Sequence, residues 1–111
     1  MLFRSRQRRI SAYLDDLLAD GAVVALPAAP GTAPRIGGSD AEIDPFRATN
    51  EPIGALSGLG QLPEIVLPLA DVDGMPLGLG LAAARGNDEM LLDLVLALRA
   101  AGVAPTIPIP E

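Results

Sequence analysis

Ile10, Tyr13, Leu14, Leu17 and Leu18 recur at the i, i+3, i+4, i+7, i+8 spacing that lines one face of an α-helix with apolar side chains. Asp15, Asp16 and Asp20 fall off that stripe and are expected to face water, and Gly21 is placed to stop the helix in a left-handed conformation. Ala22 to Leu26 is a continuous apolar run with two valines, which predicts a fully buried strand ended by Pro27 and Pro30. From Gly31 to Thr49 the chain is polar, rich in Gly, Pro and Asp, and without periodicity. That pattern predicts a loop of unusual length, either functional or mobile. Asn50 is positioned to cap a short helix with Ile53, Leu56 and Leu59 on one side. Gly54, Ser57, Gly58 and Gly60 make that helix smooth and suited to tight packing.

Ile65 to Leu69 predicts a second buried strand, and Asp71-Val72-Asp73-Gly74 a turn in which Gly74 supplies positive φ. In the returning strand Leu77, Leu79 and Leu81 alternate with Gly78, Gly80 and Ala82. One face therefore carries leucines and the other almost nothing. A neighbouring group, for instance a helix backbone, is expected to approach that bare face closely. Asn87, Asp88 and Glu89 form a capped, acidic helix start. Leu91, Leu92, Val95 and Leu98, widened by Leu94 and Leu96, give that helix an apolar surface broad enough to be buried on more than one side. Gly102 ends it, and the proline-spaced residues 102–111 predict an extended tail.

Composition narrows the chemistry more than the fold. All eight positive charges are Arg, and the chain contains no Lys, His or Cys. A Ser-His-Asp or Cys-His constellation is therefore excluded within this polypeptide, as is any lysine base. No thiolate metal site or disulfide framework is available, which fits a cytoplasmic protein. With a net charge of −6, a polyanionic partner for the body of the chain is not expected. No apolar run approaches the roughly 18–20 residues that span a bilayer. Neither a nucleic-acid nor a membrane partner is expected.

Residues 1–8 are the local exception. Arg4, Arg6, Arg8 and Arg9 hold half of the positive charge at a helix start, where the helix dipole disfavours cations. The codons CTC TTC CGA TCT would encode Leu2-Phe3-Arg4-Ser5 and occur in common sequencing adaptors, so this basic segment reads as a cloning or sequencing scar. A basic arm binding nucleic acid through Arg4 to Arg9 is the competing reading, and it lacks interleaved aromatics.

Four candidate sites fail on context. Gly54-Ala55-Leu56-Ser57-Gly58 places its serine one position late for a nucleophile elbow and has no base partner. Asp71 and Asp73 precede a glycine but lack the later ligands of a calcium loop. Gly78-x-Gly80 lies inside an alternating strand, not at a strand-to-helix turn. Asp15 and Asp16 are adjacent and so diverge on a helix. No catalytic, cofactor-binding or metal residue is assigned.

The stretch Gly60-Gln61-Leu62-Pro63 leading into a strand, the hairpin Asp73-Gly74-Met75-Pro76-Leu77-Gly78, and the acidic helix start with Leu91-Leu92 resemble, in order and spacing, the C-terminal end of amidase-signature enzymes. Leu26-Pro27-Ala28-Ala29-Pro30 extends the resemblance upstream, so that it covers residues 9–101. It implies an α/β fold: the C-terminal part of the amidase-signature domain, a partial mixed sheet packed with helices. It also implies cleavage of carboxamide C–N bonds by a serine nucleophile, a bridging serine and a lysine base, with no cofactor. Those residues lie upstream in the family and have no counterpart here, so the chain is expected to be inactive alone. The expected partners are the remainder of the amidase domain and, in the full enzyme, an amide substrate, with a homo-oligomer also open. In the family, loops near the ends of these C-terminal strands can line the substrate pocket, and residues around Pro27 to Thr32 and Thr49 to Ile53 are the candidates the resemblance offers for that role. The rival reading is a self-contained, non-catalytic α/β binding module or partner subunit.

Overall fold

The structure, a computed structural model, describes residues 2–103. Its elements run α1 (Leu2–Leu17), a single 3-10 turn (Ala19–Gly21), β1 (Val23–Pro27), α2 (Asp40–Gly60), β2 (Glu64–Val72), β3 (Met75–Ala83) and α3 (Asp88–Ala100). The three strands form one sheet in the order β1-β3-β2, antiparallel throughout, with α1 and α2 on one face and α3 on the other. The chain is thus α/β, as expected. No helix among the described residues is long and apolar enough to cross a membrane.

The β2–β3 hairpin closes through Asp73 (φ 52°) and Gly74 (φ 80°). Two consecutive left-handed residues twist the turn in the sense that antiparallel strands require, and an Asp-Gly pair tolerates them best. β3 is the central strand and carries the core. Its register sets Val24 opposite Ala82 and Val23 opposite Ala83 on one side, and Ile65 opposite Leu81 on the other. Because side chains alternate, Ala82 with Val24 meets Leu14, Leu18 and Leu62 beneath α1 and α2. Ala83 and Leu81 meet Leu91, Leu94 and Leu98 of α3.

Several expectations require correction. β1 and β2 are edge strands, not buried ones: their residues are half-buried or exposed, because each has a neighbour on one side only. The α1 stripe is only partly used. Leu14 and Leu18 are buried, but Tyr13 is 66% exposed and Leu17 51%. Asp15 is half-buried, not turned wholly to water. On α3, Leu92 (56%) and Leu96 (62%) face solvent, so one side of that helix is covered and not two.

The predicted loop over residues 31–49 ends early, since α2 begins at Asp40 and Asn50 lies inside it. Ser39 holds the N-cap position, and its carbonyl accepts from the N–H groups of Glu42 and Ile43 at 3.0 Å. Asp40 and Glu42 then place negative charge in the first turn, where the dipole favours it. The helix continues through Pro45 and Pro52. Each proline leaves one carbonyl a turn earlier without its donor. The bare face of β3 is filled differently along its length. At Ala82 the helices cover it, whereas Gly78 and Gly80 are crossed by side chains of β2. A Cβ on Gly78 would lie 2.5 Å from Val66 Cγ1, and one on Gly80 2.8 Å from Glu64 Oε1. The expected tail over residues 102–111 falls almost wholly outside the described residues; Gly102 itself adopts φ 94° after α3, as a helix stop does.

Candidate functional site

Arg85 is the best-connected polar side chain among the described residues. From the β3–α3 loop its Nη2 donates to Asp15 Oδ2 at 2.5 Å, and its Nη1 to Gln61 Oε1 at 3.4 Å. Gln61 is the left-handed C-cap of α2 (φ 54°) and Asp15 sits in the last turns of α1, so one guanidinium ties three elements together. The planar fork of Arg suits such a double contact. Its side chain is 45% exposed and that of Asp15 40%, which keeps the pair within reach of solvent and salt. Sequence reasoning misses this pair. Asp15 falls at a position that reads as solvated, and 70 residues separate the partners, so no local signal links them.

Beside it lies a cleft of about 390 Å³ lined by Arg4, Gln7, Arg8, Ser11, Leu59, Gln61 and Arg85. The cleft holds donors but no nucleophile–base pair. Ser11 Oγ and Ser57 Oγ are buried without hydrogen-bond partners. Neither has a His, Lys or Cys available anywhere in the chain to take its proton. Ser57 sits inside α2, in a helix and not at a strand-to-helix turn. Asp71 lies near the end of β2 and Asp73 within the hairpin turn, and among the described residues no three His, Asp or Glu side chains converge as a metal site.

The two segments expected to line a substrate pocket stand in different settings. Pro27 to Thr32 leaves the end of β1 as bends, with Ala28 N–H donating to the Gly78 carbonyl at 2.9 Å. Thr49 to Ile53 forms the middle of α2, where Thr49 Oγ1 donates to the Pro45 carbonyl at 3.0 Å. Neither segment lines the Arg85 cleft.

What the chain does share with known proteins is its scaffold. Amidase 1 of Oryza sativa subsp. japonica is 30% identical over 93 residues, which are 84% of this chain and 21% of that protein. Amidase 1 of Arabidopsis thaliana is 28% identical over 97 residues, 87% of this chain and 23% of the relative. The chain also superposes on the A subunit of glutamyl-tRNA(Gln) amidotransferase from Thermotoga maritima with a TM-score of 0.62 and 25% identity. That match covers 74% of this chain and 18% of the other. This chain is related to the amidase-signature family.

No protein-family model matches it. The similarity falls on the C-terminal parts of these relatives, and the chain spans only 21–23% of the length of the two plant amidases. As an amidase relative it thus has the helix–strand–helix–hairpin–helix succession that the sequence predicts. The glycines at Gly78 and Gly80 serve that scaffold, by letting Val66 and Glu64 lie across the sheet.

Proposed function

We propose that this chain is the C-terminal portion of an amide hydrolase of the amidase-signature family, and that it supplies scaffold and not chemistry. The Ser-Ser-Lys machinery that cleaves the carboxamide C–N bond would be carried by an upstream part of the same protein. The observation that carries this reading is the coincidence of two facts. Similarity covers 84–87% of the chain but 21–23% of the amidases, and the chain contains no lysine to serve as base.

Packing supports the same reading against a self-contained module. The buried apolar set among the described residues is Leu14, Leu18, Leu62, Leu81, Ala82, Ala83 and Leu91, of which Leu18 alone is a large side chain with under 2% exposure. Large apolar groups on α1, β2 and α3 stay open instead. The test is an amidase assay on simple carboxamides. The 111-residue chain alone should release no ammonia above background, and its fusion to the upstream-encoded polypeptide should do so. Turnover by the chain alone would overturn the proposal.

A further inference from the structure

The two open edges of the sheet differ in kind. The Ala28 N–H to Gly78 carbonyl bond fixes which residues of β1 face β3. By the alternation of antiparallel pairs, Val24 and Leu26 exchange hydrogen bonds with β3, while Val23, Ala25 and Pro27 turn their backbone groups outward. On the other flank Ala83 N–H donates to the Pro63 carbonyl at 3.2 Å. The same alternation turns Glu64 and Val66 outward on β2.

The outer edge of β2 carries two features that deter a further strand: Pro68 without an N–H, and a register shift between Leu67 and Ala70. β1 carries no charge and no bulge, and its only proline is its last residue. Its outward backbone groups at Ala25 are uncovered, and Ala25 and Pro27 are exposed. Edge strands left bare in this way invite pairing.

We infer that β1 is an interior strand of the complete sheet, and that its outer edge takes up a strand from the upstream part of the polypeptide. The length of the relatives supplies such an occupant, since roughly four-fifths of each plant amidase lies outside the match. This assignment rests on the fragment reading above and adds which edge joins. The added strand donates to the Ala25 carbonyl and accepts from the Ala25 N–H, and Pro27 sets where that ladder stops.

Residue-resolved hydrogen exchange tests it on the full 111-residue chain, alone and in complex with the polypeptide encoded immediately upstream in the source DNA. Alone, the Ala25 amide should exchange freely while those of Val24 and Leu26 are protected. In the complex, Ala25 exchange should slow by about a hundredfold or more, with the Val66 amide still free. Ala25→Pro should abolish the complex and Val66→Pro leave it intact. Protection of Val66 and not Ala25 overturns the edge assignment while the fragment reading stands. A missing upstream frame, or no complex at all, overturns both. Concentration-dependent protection of Ala25 in the lone chain would assign the edge to a second copy and also overturn the proposal.

Discussion

At Gly60 the absence of a side chain is what lets α2 close onto α1. A Cβ there would lie 2.6 Å from Leu14 Cδ1 and 2.9 Å from Leu62 Cγ. Gly60→Ala should therefore destabilise by about 1–3 kcal/mol, as overpacking of a filled site does. Gly58, two residues earlier, has open space around its would-be Cβ. Gly58→Ala should raise stability by about 0.5–1 kcal/mol through helix propensity. Far-UV circular dichroism under increasing urea distinguishes the pair, and equal responses would contradict the packing described. Arg85→Met should cost at most about 1 kcal/mol and lose its effect at high salt, because both partners of the ion pair are well exposed. The glycine-rich composition of α2 is legible from sequence, but which glycine is needed is not. That depends on where Leu14 lies, and Leu14 arrives from an element 46 residues away in the chain.

Among the elements, the hairpin and α3 are the most legible. Asp73-Gly74 fixes a turn by local backbone preference, and Asp88, Glu89 and the paired leucines fix a helix start by charge and periodicity. α2 is the least legible. Pro45 falls in the stretch that reads as loop and Pro52 just after the expected cap at Asn50, yet one helix runs through both, although each proline removes a helical hydrogen bond. Replacing Pro52 with alanine should strengthen the helix by up to about 3 kcal/mol, seen as a gain in helical dichroism. No gain would mean that residues 45–52 are not helical in solution. Strand burial is overestimated from sequence for a topological reason. Apolar runs mark strands flanked on both sides in a large sheet, and here β1 and β2 are the edges of a three-stranded one. Their composition suits a larger sheet better than the sheet of this chain.

The whole molecule is looser than a compact domain of its length. Its radius of gyration is 16.2 Å, where about 13 Å is expected of a globule near 100 residues. Tyr13, Leu17, Val66, Leu92 and Leu96 are each at least half exposed. A chain with such surfaces should associate at raised concentration, and Leu92→Glu with Leu96→Glu should reduce association in analytical ultracentrifugation without loss of helical signal. The candidate site is legible in sequence mainly as an exclusion. The absence of Lys, His and Cys leaves no lysine, imidazole or thiol base within this chain, whereas the Arg85–Asp15–Gln61 junction becomes visible only in three dimensions. On the reading proposed above the reacting groups lie upstream of this chain, and sequencing the DNA upstream of the Met1 codon decides it. The expected result is an open reading frame that continues into a Gly- and Ser-rich segment bearing one lysine and two serines. An in-frame stop codon and a promoter close to Met1 would contradict it.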